Sequence, residues 1–305
     1  FHVWNYPTDL MITDMGETLS SDLGRKTMPA LSWMAETKIL KPLAEYLFGV
    51  VSVVQRAGGG NASHFMGTVY SEATPWYFPT LYLFKESLIF HILTIIAIFF
   101  AVKNIKKIDF AVLASVIFIA FYAFQSITGN LNIGHRHIMP ILPFAYFLTA
   151  LAITKFNKPI ITGALLVFMF ISTLITFPYY LSYYNILAGG TTNGYKIATD
   201  SNYDWGQDMK RLRDWMDANN VQKIDLHYFG GGDGKYYFGS RYEDWWSSKG
   251  QPVAGSWFAI SANAREGSMA TPARGFTIKP NDTYSWLKEK EPVARAGSSI
   301  FIYKF

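Results

Sequence analysis

Hydrophobic positions along the chain fall into long unbroken runs in the first two thirds and into short periodic stretches in the last third. Four runs, 81–102, 110–127, 138–153 and 160 to about 180, are apolar over roughly the 20 residues a bilayer crossing requires, the third being the shortest. A fifth run, "LAEYLFGVVSVV" at 43–54, is shorter and contains Glu45. It predicts a helix lying on a membrane surface or packed within a long loop. From about Asn185 the pattern becomes that of a water-exposed α/β module. Met209, Leu212, Trp215 and Met216 recur at helical spacing and Asn219-Asn220 supplies a stop. "KIDLHYF" alternates Ile224, Leu226 and Tyr228 in strand fashion, and "SWFAIS" and the final "SIFIYKF" are further strand candidates. The expected architecture is a polytopic α-helical membrane protein with a C-terminal extracytoplasmic α/β domain. Its divisions are a loop region with a surface helix (1–80), a transmembrane region (81–184) and the α/β domain (185–305).

Charge orients this arrangement. "KNIKKID" places Lys103, Lys106 and Lys107 between the first and second runs, and "TKFNKP" places Lys155 and Lys158 between the third and fourth. Lysine-rich loops stay cytoplasmic, so "TGNLNIGHRH" and everything after about Tyr180 are expected outside. The formal charge of +5 forms no basic stripe, which argues against nucleic-acid binding. Half of the residues are hydrophobic, yet mean hydropathy is only +0.12, in keeping with segregated apolar and polar parts. The absence of cysteine from the 305 residues excludes disulfides and thiolate chemistry. The chain starts at Phe1 with no signal-like segment, and reads as the C-terminal portion of a longer protein.

With that topology, three polar groups fall at the outer boundary: Lys85-Glu86, the cluster His135-Arg136-His137, and Tyr184-Asn185. Ionisable residues at the edges of spans are costly against lipid and mark substrate pathways when they face a cavity. Arg136, His135, His137 and Lys85 could hold a lipid-borne phosphate, since guanidinium and protonated imidazole donate well to phosphate oxygens. The simpler alternative is a snorkelling Lys85 and an Arg136 that anchors to headgroups. Trp76 and Tyr77, in "ATPWYFPTLYLF", suit an aromatic belt or stacking on a sugar face. Asp200, Asn202 and Asp204 alternate as in a calcium loop, but Trp205 stands where glycine should follow and Arg211 where glutamate should close it. Asp204 and Gln207 alternatively make a capping box for a helix starting at Trp205. "FGGGDGKYYFG" fails as a phosphate loop, with Phe229 and Tyr236 at key places, and predicts a turn. His91 reads as a packed residue of the first span. Asn61 and Asn281 head glycosylation sequons.

"HFMGTVYSEATPWYFPTLYLFKES", "NIGHRHIMPILPF", "PYYLSYYNILAGG" and "DSNYDWGQDMKRLRDW", in that order, resemble the C-terminal half of bacterial GT-C membrane glycosyltransferases of family 39, the dolichyl-phosphate-mannose–protein mannosyltransferase-like group. The resemblance covers about residue 40 onward. It implies an integral protein of the bacterial cytoplasmic (inner) membrane that moves a sugar from a polyprenyl-phosphate donor to a protein, glycan or lipid acceptor at the outer face. It implies cations, here Arg136, His135, His137 and Lys85, on the departing phosphate, and an acidic base upstream of this sequence. Trp76, Tyr77, Asn185, Asp200, Asn202 and Asp204 become substrate-site candidates. No cofactor is implied beyond the lipid-linked donor, and a divalent cation is an open possibility. A non-enzymatic transporter or lipid-binding protein with an outer sensor domain is the alternative.

Overall fold

The computed structural model describes residues 7–103, 109–272 and 283–305, so Lys106, Lys107 and the Asn281-Asp282 part of a sequon lie outside the described residues. The chain clusters into two compact units, Phe1–Asn61 and Ala62–Phe305. The apolar helices and the C-terminal module, expected as separate regions, therefore fall within one unit.

The first unit holds α1 (Thr8–Thr18), α2 (Asp22–Glu36) and α3 (Lys41–Gly59). Ser21 caps α2 by accepting a hydrogen bond from the Gly24 amide at 3.1 Å, one of the free donors at a helix start. Pro42 sits in the first turn of α3, where its missing amide leaves no bond unmade. Met11, Met15, Leu19, Leu31, Ala35 and Ala44 form the core of this unit. The fifth apolar run is part of α3: one face joins that core while Leu43, Tyr46, Val50 and Val53 are exposed.

In the second unit, β1 (Ser63–Phe65), β2 (Thr68–Tyr70) and, far along the chain, β6 (Thr271–Pro272) make a small sheet in the order β1-β2-β6. The first long apolar run is not one helix. α4 (Tyr77–Lys85) and α5 (Leu88–Lys103) meet at a bend of 105°. Glu86 adopts an extended conformation that ends α4, and the Ser87 hydroxyl accepts from the Ile89 amide to start α5. A broken helix leaves carbonyls without partners, and in an apolar setting these must be satisfied from elsewhere. Asn185 does this: its amide side chain donates to Leu83 O (2.7 Å) and Glu86 O (2.9 Å), and its backbone N–H to Phe84 O (2.8 Å).

α6 (Phe110–Thr128) starts from Asp109, whose carboxylate accepts the Val112 amide. α7 (Leu142–Ile153) is preceded by a 3-10 turn at Met139–Ile141, and α8 (Pro159–Thr176) again has proline in its first turn. α5 and α7 are joined by the Thr94 and Thr149 hydroxyls (3.1 Å) and by an edge-on Phe90–Tyr146 pair. Phe110–Thr128, Met139–Phe156 and Pro159–Thr176 are long and apolar enough to cross a membrane, and the bent α4–α5 pair makes a fourth if it is one span.

Beyond α8 come α9 (Gly190–Asn193), α10 (Met209–Ala218), β3 (Ile224–His227), α11 (Gly234–Phe238), β4 (Tyr242–Asp244), β5 (Trp257–Ser261), α12 (Ala262–Met269), β7 (Ala294–Ala296) and β8 (Ile300–Lys304). The five-stranded sheet has the order β4-β3-β5-β8-β7, with β3 parallel to β4 and β5, and β8 antiparallel to β5 and β7. Met209, Leu212 and Met216 of α10 cover one face, against Ile224, Leu226 and Ile302. Phe258, Ile260 and Phe301 on the other face share a core with Tyr77, Phe78 and Leu81 of α4. Because both faces are covered, β3 is buried at Ile224, Asp225 and Leu226 alike, and the expected half-exposed alternation is absent.

Two expectations are corrected here. The glycine loop leads into the short helix α11, capped by Asp233 through the Lys235 amide, instead of forming a turn alone. α10 begins at Met209, four residues after the expected start, because Gly206 sits at φ +84, a left-handed conformation through which an α-helix cannot run. The Asp204 carboxylate accepts the Gly206 amide and the Gln207 side chain accepts the Trp205 amide, so these residues order a turn ahead of the helix.

Candidate functional site

The α4–α5 break gathers most of the residues singled out in the sequence. Lys85, at the end of α4, donates to Leu181 O (2.9 Å) and Asn202 O (2.6 Å), and its ammonium lies 4.7 Å from the centre of the Tyr184 ring. Glu86 follows in the break. One carboxylate oxygen accepts from the Tyr146 hydroxyl at 2.9 Å and the other lies 3.3 Å from His135 Nε2. Both partners are largely shielded from water, so the pairing acts across a medium less polarisable than bulk solvent.

Asn202 is the hub that carries His135 to this place. Its side-chain oxygen accepts the His135 backbone amide (2.8 Å), and its amide nitrogen donates to Tyr77 Oη (2.8 Å) and Thr199 O (2.9 Å). The turn entering His135-Arg136-His137 passes through Gly134 at φ +124, and a Cβ there would strike the Ser201 hydroxyl, which itself donates to Ile133 O. Only glycine meets both conditions. His137 is half-buried on the same turn, its amide bonded to Gly134 O.

The remaining candidates separate. Tyr77 is in the core and serves as a strut, whereas its neighbour Trp76 is 71% exposed. Asp200, at φ +56, accepts the Ser201 amide. Asp204 is wholly buried, its two oxygens taking the Gly206 and Asn263 amides, and burial pushes its carboxyl up to about 6 against the opposite pull of those hydrogen bonds. With Asn202 occupied as described, the three alternating oxygens are engaged in ordering the loop. No group of three or more acidic or histidine residues suited to a metal ion occurs among the described residues. Arg136 is exposed, its guanidinium has no hydrogen-bond or ion-pair partner among the described residues, and it lies 5.5 Å from the centre of the Trp205 ring.

Two cavities flank the break. The first, about 440 Å³, is lined by Lys85, Glu86 and Tyr146 together with Ser172 and Thr176 of α8. The second, about 610 Å³, has apolar walls from Leu88, Leu165, Phe168, Ile171 and Ile175. Ser87, Ser172, Thr176 and Tyr183 line both. Arg136 lines neither of them.

Sequence reasoning placed Glu86 with Lys85 among the polar groups at the outer boundary but gave it no partner and passed over Tyr146, since nothing local pairs positions 60 residues apart. It also missed Asp208. This buried carboxylate accepts the Ser298 and Ser299 amides (2.9 and 2.8 Å) and the Ser299 hydroxyl (2.9 Å), and pairs with Arg211, fixing α10 to the β7–β8 turn.

No family model, no curated protein and no solved structure matches the chain.

Proposed function

We propose that this chain is the carrier-lipid-binding part of a bacterial membrane glycosyltransferase, which transfers a sugar from a polyprenyl-phosphate donor to an acceptor at the outer face of the cytoplasmic membrane. The observation that carries the reading is the junction, along α8, of a cavity that holds Lys85 and Glu86 with one whose walls carry no charged side chain. A lipid-linked sugar phosphate has that same division between a charged head and a hydrocarbon tail. The four sequence motifs resembling family 39 enzymes support it, and the apolar helices supply the surface such a lipid would approach from.

In this reading the tail lies along Leu165, Phe168 and Ile175 and the phosphate at Lys85. Lys85 already gives two N–H groups to carbonyls, so a third remains to meet negative charge as the sugar–phosphate bond breaks. His135, whose Nε2 faces Glu86, is the second donor in this reading, although neither it nor His137 lines the cavity itself. Glu86, held by Tyr146, orients the His135 ring beside the break. The base that takes the acceptor's proton is a carboxylate outside this constellation.

Membranes containing the whole enzyme of which this chain is proposed to be the carrier-lipid-binding part, supplied with a polyprenyl-phosphate sugar, should release polyprenyl phosphate. Lys85→Met should reduce release by about 100-fold or more, and His135→Gln, which retains the fold's backbone contact to Asn202, by a smaller factor. Tight binding of the carrier lipid without release by the unaltered protein would instead establish the non-enzymatic lipid-binding alternative.

A further inference from the structure

Trp205 is 50% exposed although the turn that bears it is firmly seated. From below, the buried Asp204 carboxylate ties this turn to the first turn of α12, which follows β5, through the Asn263 amide. From the side, the Tyr228 hydroxyl, just past β3, donates to Gly206 O (3.2 Å) and accepts from the Gly232 amide (3.1 Å), linking the turn to the glycine loop. Gly206 is held so close to Tyr228 that any Cβ would overlap its hydroxyl. β3 and β5 are parallel neighbours; the chain leaves β3 for β4 and leaves β5 for α12, so their connections diverge. Crevices at the carboxyl ends of parallel strands whose connections diverge are where open α/β sheets take ligands.

Two side chains complete the surface. Phe229, half-buried, stands edge-on to Trp205 with ring centres 5.4 Å apart. Arg136 reaches over the indole and keeps its planar fork of donors unpaired among the described residues. A half-exposed indole offers apolar surface on the scale of a pyranose ring, and the unpaired guanidinium over it favours a carboxylate or phosphate. Asp204, the residue before Trp205, turns its carboxylate inward onto amides.

We propose that Trp205, Phe229 and Arg136 form a docking platform for a saccharide carrying an anionic substituent. The platform names the acceptor's chemical class for the transfer proposed above and rests on that reading for its role as acceptor site, but binding is measured without turnover, so the failure of either is distinguishable. It also gives Arg136 a place separate from the donor phosphate.

The test is saturation-transfer NMR on the full chain in detergent micelles, with a galacturonic acid trimer and its neutral methyl ester as probes. The acidic trimer should bind at least 10-fold more tightly than the ester. Trp205→Ala should weaken both by 10-fold or more with an unchanged circular dichroism spectrum, and Arg136→Gln should erase the difference between them. Equal binding of the two probes to the unaltered chain, or binding indifferent to Trp205→Ala, overturns the proposal. So does quenching of Trp205 fluorescence by brominated lipid in nanodiscs, which would assign this face to the membrane interface.

Discussion

α6 and β8 are both predominantly apolar, yet the fold treats them in opposite ways. Only 6% of the apolar stretch of α6 is buried, with Ile117, Phe121 and Phe124 outward, whereas Ile300, Phe301, Ile302 and Tyr303 of β8 are all enclosed. In β8 the protein itself removes the hydrocarbon from water. In α6 that work is left to the surroundings, and on the reading proposed above the bilayer does it. The difference extends to polar groups. Around β8 they are bonded pairwise in depth, as at Asp208, while at the α4–α5 break they converge on open space beside Lys85 and Glu86. Hydrophobic content alone therefore does not distinguish core from surface in this molecule; the neighbours of each apolar residue do.

The comparison is sharpest in a matched pair of truncations. Leu212→Ala, at a wholly buried position of α10, should cost about 2–5 kcal/mol, and Ile117→Ala, 58% exposed on α6, less than about 0.5 kcal/mol in detergent. Denaturant unfolding in micelles measures both, and equal losses would break the contrast. The next effect is pH-dependent. The carboxyl of Asp204 is raised by burial to about 6 from its ordinary 3.8, so the folded chain binds this proton more tightly than the unfolded one. The resulting stabilisation is complete below pH about 4 and is lost as pH rises through about 6, a change on the order of 3 kcal/mol at most. Thermal melts of Asp204→Asn across that range should lose this component of the slope. The smallest effect tests the junction between the two regions. Asn202→Ala removes the side-chain partner of the His135 amide and the bond the Asn202 amide gives Tyr77 Oη, and should cost about 1–3 kcal/mol, with faster hydrogen exchange at His135 as the local signature.

Much of the module was legible because its signals are local. The 3.6-residue period of Met209, Leu212 and Met216 and the strand runs at 257–261 and 300–304 needed no distant partner to be seen. The apolar runs were legible as helices for the same reason. The bend at Glu86 was not, since hydropathy averages over it and the residue that satisfies the broken turn, Asn185, lies about a hundred positions away. β1 and β2 are three residues long, and β2 finds its second neighbour at Thr271. Strands so short carry no period, and a partner so remote leaves no trace in the sequence. Of the candidate site, Lys85, His135, Asn185 and Asn202 are brought together by the fold, but their roles as struts and hub follow from geometry that no motif states. Tyr146 became visible only through its bond to Glu86.

The position of β8 in the sheet also bears on how the molecule comes into being. Ile300–Lys304 is the last strand of the five to be synthesised, and it lies between β5 and β7 instead of at an edge. During translation β3, β4 and β5 emerge first, with one flank of β5 uncovered and Asp208 still without the Ser298 and Ser299 amides that neutralise its burial. Closure of this sheet is thus timed by the emergence of its final strand, and until that moment the nascent chain presents a bare strand edge for a chaperone to shield.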